Sequence, residues 1–139
     1  MLFITLNVLF PVMLGAAYYL FVSPKVNFVR FIKQTLGINL PAAEIPEGFP
    51  LRDFVIKHGA DALWAYALVF ALFLASGREK RNLPKVAAAA VAFSAMLEVL
   101  QIASAVPGVF DVQDIITEAI AGIIAVLVIH FFYEEEDRV

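Results

Sequence analysis

Apolar residues in this chain fall into long runs, and most of the charged residues collect between them. Residues 1–24 carry no charged side chain, and Leu2 to Val22 is long enough for one membrane-spanning helix. About 20 mostly apolar helical residues cross a hydrocarbon core of ~30 Å. A second span is expected at about 59–76, uncharged after Asp61. A third runs from about 84 to 104 and is broken only by Glu98, with Pro84 suited to a first helical turn. The fourth, at about 114–133, has to include Glu118 to reach spanning length. In lipid every backbone N–H and C=O needs a partner within the protein, and the alternating pattern of a β-barrel is absent. The expected fold is therefore all-α, a four-helix transmembrane bundle in a single integral membrane domain. The first run has no leading Lys or Arg, exceeds a signal-peptide core and lacks a small-residue cleavage site, so a retained helix is expected.

Between the first two spans, residues 23–57 form the longest connection. Ser23 as N-cap with Pro24 after it predicts a short amphipathic helix at 23–36. Val26, Phe28, Val29, Ile32 and Leu36 would share one face, and Arg30, Lys33 and Gln34 the other. Such a helix fits the headgroup level of a bilayer, or a water-exposed continuation of the first span. Pro41, Pro46 and Pro50, with Gly48, then predict an extended segment. Small residues at Gly15-Ala16-Ala17, Ala87 to Ala90, and Ala121, Gly122 and Ala125 offer surfaces for close helix packing. Trp64, Tyr66 and Tyr133 read as interfacial or packing aromatics, and His130 as interfacial.

Composition narrows the functional classes. With 62% hydrophobic and 17% charged residues, the chain is too apolar for an ordinary water-soluble domain. Ten basic and 13 acidic residues give a net charge of −3; without Glu134 to Arg138 both counts fall to 9, so the acidity belongs to the tail at 134–139. Nothing in this balance suits nucleic acid, and the absence of cysteine excludes thiolate metal sites, disulfides and Cys nucleophiles. Basic residues divide evenly between the two sides of the bundle. Their density in the short stretch Arg78 to Lys85 favours a cytoplasmic position for that loop, and with it both termini inside the cell membrane.

Charged groups inside membrane segments cost at least ~2.5 kcal/mol each on insertion scales, so they tend to face inward. Here they fall at one end of the bundle. His58 and Asp61 open the second span, Glu98 and Gln101 close the third, and Asp111, Asp114 and Glu118 open the fourth. Ser94, Glu98, Gln101 and Ala105 share a helical stripe, as do Asp111, Asp114, Glu118 and Gly122, and His58, Asp61 and Ala65. These stripes predict a narrow polar pocket. Its carboxylates cannot all stay ionised without a shared proton, a cation, His58 or Arg52 as counter-charge. Plainer roles fit some of the same residues: Asp111 and Asp114 as N-cap and first-turn acids, His58 and Asp61 as headgroup-level groups, Glu98 and Gln101 as a hydrogen-bonded pair. Glu98 is expected about two turns, roughly 10 Å, from the end of its helix.

The pattern Glu98-x-x-Gln101, a turn, then Phe110-Asp111-x-x-Asp114 and a small-residue helix resembles the VanZ-like family of small bacterial membrane proteins, over about residues 52–129. Glu98, Gln101, Asp111 and Asp114 match that family residue by residue. Glu118 stands where the family has Asn, Ala121 and Ala125 where glycines are common, and Gly108 where an Arg is frequent. His58 and Asp61 lie near the family's usual Asp and His at the start of the second span but in a different order, with Tyr66 retained. The resemblance implies a cell-envelope setting and an association with resistance to the glycopeptide teicoplanin.

The leading expectation is a binding protein whose acidic and amide pocket takes a polar lipid headgroup, a cell-envelope precursor or a glycopeptide-type ligand. The other expectations are an enzyme using Glu98 and Asp114 as acid and base on a lipid-linked substrate, and a proton- or cation-coupled transporter, which would need oligomers. No Ser-His-Asp order, H-E-x-x-H or phosphate-binding glycine loop is present. No cofactor is expected, although the oxygen ligands and His58 would suit a hard divalent cation.

Overall fold

The computed structural model describes residues 1–22, 27–37, 45–103 and 111–134, with backbone alone at 27–30 and 32. Its elements are α1 (Leu2–Phe21), α2 (Asn27–Leu36), α3 (Arg52–Ala75), a single 3₁₀ turn at Lys80–Asn82, α4 (Leu83–Ile102) and α5 (Val112–Phe132). No strand occurs among the described residues. Four of the helices, α1, α3, α4 and α5, are long and apolar enough to cross a membrane. The chain is a multi-pass membrane protein of the all-α class, as its sequence predicts.

α3 begins at Arg52, a full two turns before the expected start near Gly59. Hydropathy excluded Arg52, Asp53 and Lys57 from the span, but a helix can continue beyond the hydrocarbon as long as its backbone bonds are satisfied. Leu51, held left-handed at φ 61°, marks where the helix begins. α4 ends at Ile102, which brings Glu98 to one turn, about 6 Å, from the helix end, closer than the sequence suggested. Pro84 lies in the first turn of α4, where its missing N–H costs nothing. A short helix does occur after α1, at Asn27–Leu36. The proposed cap at Ser23 and Pro24, Val26 on the apolar face, and Pro41 lie outside the described residues, as do Ala105, Gly108, Phe110 and the acidic tail beyond Glu134.

α3 is the axis of the bundle: it packs on α1, α4 and α5, and α4 also packs on α5. Its inner face is fully buried at Val69, Phe70 and Phe73. These side chains meet Ile4 from the start of α1, Leu83, Val86 and Ala90 from the start of α4, and Ala125, Ile129 and Tyr133 from the end of α5. Tyr133 therefore proves to be a packing aromatic: its ring sits edge-on to Phe73 at 5.3 Å and stacks beside Phe3 at 6.5 Å. All of these groups belong to one end of the bundle. Outward positions are large and apolar, among them Leu2, Met13, Ile123 and Phe131, as a lipid-facing surface requires.

Close approach of the helices depends on small residues at the expected places. Ala121, Gly122 and Ala125 are buried on α5, and Gly15 of α1 lies under the Trp64 indole, with room for a Cβ 3.7 Å from its Nε1. Of the alanine run, Ala90 is buried while Ala88 and Ala89 face outward. A Cβ at Gly122 would meet Val69 Cγ2 at an ordinary 3.7 Å. Gly122→Ala should therefore leave thermal unfolding in detergent unchanged, whereas Gly122→Leu should destabilise by about 1–3 kcal/mol by overpacking the α3–α5 contact. Equal stability of the two variants would count against this packing.

Polar pins supplement the packing. Tyr66 Oη donates to Asn7 Oδ1 at 2.6 Å, and Asn7 Nδ2 donates to the Phe3 carbonyl at 2.9 Å. At the opposite end of α1, Tyr18 Oη donates to the Ile56 carbonyl at 2.5 Å. Between α1 and α3 runs an outward groove of about 500 Å³, lined by Leu6, Phe10, Pro11, Leu14 and Leu63 with Asn7 and Tyr66.

Candidate functional site

The antiparallel order of the helices puts the start of α3, the end of α4, the start of α5 and the end of α1 at the end of the bundle away from the apolar core. There the side chains change character. His58, Ser94, Glu98 and Thr117 are the buried polar residues among those described, at 5%, 7%, 5% and 7% exposure.

His58 is the centre of this group. It lies one turn and a half into α3, on the face turned towards α5. Its Nδ1 is 2.6 Å from Asp114 Oδ1, and its Nε2 is 3.2 Å from Gln113 Oε1. Phe54, one turn earlier on α3, covers the ring at 5.5 Å. Asp61 sits beside this pair: one ligand atom from each of His58, Asp61 and Asp114 lies within 4.8 Å of the other two. Asp61 also lies within electrostatic range of Glu98 and Glu118.

Glu98 points inward from α4, and its Oε2 accepts the backbone N–H of Asp111 at 3.2 Å. The bond joins the end of α4 to the start of α5. Gln101, the partner that spacing suggested for Glu98, instead keeps Oε1 buried with no hydrogen-bond partner. Asp111 is the N-cap of α5, and its Oδ1 accepts the Gln113 N–H at 2.8 Å. Glu118 lies with Ser94 beside its carboxylate, and its Oε2 is buried without a hydrogen-bond partner. Arg52, the suggested counter-charge, is turned elsewhere: Nε donates to the Ile45 carbonyl at 3.0 Å, and the guanidinium faces Asp53 at 3.5 Å. His130, at the other end of α5, is exposed.

So His58, Asp61 and Asp114 come together with Glu98 and Glu118 near them, Asp111 holds the rim by capping, and Gln101 lies on the same face of α4 as Glu98. Periodicity missed several participants. Gln113 precedes Asp114 and so falls off its stripe, but in the first turn of a helix a side chain can reach across to a neighbour. Tyr18 and Tyr19, at the end of α1, are within electrostatic range of Asp61, and Tyr19 also of Asp114. Two adjacent tyrosines at the end of a span were the available signal, since amphipathic aromatics collect where a membrane segment meets polar surroundings.

Chemically, the cluster combines one imidazole with several carboxylates and two orphaned acceptor oxygens. It suits a ligand that brings positive charge or hydrogen-bond donors, and its imidazole–carboxylate pair is suited to moving a proton. Against known proteins, the family model described as VanZ/LLP1 matches residues 8–133. No curated protein and no solved structure matches the chain.

Proposed function

Since the chain belongs to the VanZ/LLP1 family, we propose that its polar cluster binds the headgroup of a lipid-linked or envelope-associated ligand presented from one leaflet. The observation that carries this reading is the burial of His58 and Glu98, each 5% exposed, in a chain with spanning helices. Groups of this kind are expensive at membrane depth and tend to mark functional sites. Acidic and amide side chains from α3, α4 and α5 line the same end, so a polar headgroup would meet donors and acceptors from several helices while its tail stayed in lipid. The basic stretch Arg78 to Lys85 supports placing the cluster on the outer side, with both termini cytoplasmic.

A direct test uses the full chain in nanodiscs of phosphatidylethanolamine and phosphatidylglycerol, titrated with a polyprenyl diphosphate lipid and, separately, with teicoplanin. Saturable binding of one of them is expected, changed at least about tenfold by Glu98→Gln and by Asp114→Asn, since each substitution removes a negative charge that the headgroup meets. Binding that is indifferent to both substitutions, or no binding by the folded protein, would overturn the reading. One contact favours a second reading, acid–base catalysis on the same ligand: the 2.6 Å pairing of His58 with Asp114 orients an imidazole as a proton-transfer group. Turnover of the polyprenyl lipid by the wild type and its loss in His58→Gln would favour catalysis over binding alone.

A further inference from the structure

We infer that His58, Asp61 and Asp114 hold a divalent transition-metal ion, and that this ion is what an anionic headgroup meets; the second clause rests on the binding reading above, the first does not. Three independent features lead to the site. Geometry is the first: one ligand atom from each residue already lies within 4.8 Å of the other two. Ligands about 2.1 Å from a tetrahedral ion stand about 3.4 Å apart, so the His58–Asp114 pair would open slightly and Asp61 would turn in to complete the set.

The second feature is the pairing of His58. Its Nε2 lies 3.2 Å from Gln113 Oε1, which can accept a hydrogen bond from that nitrogen. Its Nδ1 lies 2.6 Å from Asp114 Oδ1, a contact that a proton closes in the metal-free chain. A metal ion would displace that proton as the pair opens to ligand spacing. Metal-bound histidines characteristically donate their other ring N–H to a carbonyl or carboxylate oxygen, a role Gln113 is placed to take. The third feature is oxygen left without a donor. Glu118 Oε2 and Gln101 Oε1 are both buried with no hydrogen-bond partner, and Glu118, like Glu98, is within electrostatic range of Asp61. Carboxylates gathered this closely, Glu98 buried and the others partly so, need compensating charge, and Arg52 is committed to Ile45 and Asp53.

One imidazole nitrogen with carboxylate oxygens suits Zn²⁺ or Mn²⁺ better than Ca²⁺ or Mg²⁺, which favour all-oxygen surroundings. Three protein ligands also leave a coordination position open for an outside oxygen. That resolves an electrostatic difficulty: a cluster of acids repels a phosphate, and an ion at its centre turns repulsion into attraction.

The test uses full-length protein, freed of metal by chelator in detergent and titrated with Zn²⁺ alone and Mn²⁺ alone. Uptake of one ion per chain is expected, at least tenfold weaker in His58→Gln and Asp61→Asn and unchanged in the distant Glu47→Gln. For Mn²⁺ on the wild type, pulsed electron paramagnetic resonance should show coupling to an imidazole nitrogen; this readout needs no variant to fold. No saturable uptake, uptake insensitive to both substitutions, or no nitrogen coupling would overturn the site, leaving a shared proton to close the His58–Asp114 pair. Headgroup binding that persists in chelator would overturn the bridging role and leave the binding reading standing. Metal uptake without headgroup binding would overturn the binding reading and the bridging role with it, and leave the metal site standing.

Discussion

His58→Ala is expected to destabilise the bundle by about 2–3 kcal/mol. Removing the imidazole strands the Asp114 carboxylate that it pairs with, and stranding a buried charge costs about 3–5 kcal/mol in fully buried cases. The lower range applies here because the Asp114 side chain is 23% exposed while that of His58 is 6% exposed, so solvent relieves part of the penalty. The same reasoning requires coupling: His58→Ala with Asp114→Ala should lose less than the two single losses added together, because no stranded carboxylate remains. Unfolding in mixed micelles with increasing denaturing detergent gives all four corners of this cycle. Additive losses would show that the two side chains are neighbours without being energetic partners.

At the other end of the bundle, Phe73→Ala is expected to cost about 2–4 kcal/mol. Phe73 has no exposed surface and packs edge-on against Tyr133, itself buried to 6%. In water a Phe→Ala cavity costs about 3–5 kcal/mol. Within a bilayer the transfer contribution shrinks, because lipid is as apolar as the core, and what remains is lost dispersion contact around the cavity. A control on the lipid-facing side separates packing from general loss of apolar surface: Ile123→Ala, at a position 61% exposed, should change stability by less than about 0.5 kcal/mol. Similar losses at the two positions would mean that helix association does not rest on this core.

These two experiments probe the parts of the molecule that were, respectively, hard and easy to read from sequence. Spanning helices are legible because one requirement, a run of apolar residues of fixed length, dominates their composition. α1 and α5 accordingly fall within two residues of their expected bounds. The start of α3 was not legible, since the turns from Arg52 to His58 answer to backbone hydrogen bonding and the left-handed Leu51, neither of which leaves a hydropathy signal. Small residues at Gly122 and Ala125 mark packing positions in the sequence itself, because close helix approach admits little else.

The polar end was legible as a location and less so as a set of pairings. Helix order alone brings His58, Glu98 and Asp114 to the same side. Which atoms meet depends on helix rotation, and a rotation of a few tens of degrees exchanges one partner for another. Spacing on α4 suggested that Glu98 would bond Gln101; in the fold Glu98 reaches across to the Asp111 backbone, and Gln101 keeps a buried oxygen without a partner. Asp111 takes the plainer of its two sequence readings, capping α5 through its side chain, while its backbone N–H is bound by Glu98. Gln113 leaves no signal in the sequence because it lies off the stripe that Asp111, Asp114 and Glu118 share, and a helix's first turn is where helical spacing constrains a side chain's reach least.

The bond from Tyr66 to Asn7 bears on how the protein is made. Translation delivers Asn7 long before Tyr66, with the whole connection between α1 and α3 still to be synthesised. During that interval the Asn7 amide oxygen lies in the newly inserted first helix with no hydroxyl to serve it. α1 therefore enters the bilayer incompletely satisfied and is fastened only when α3 docks.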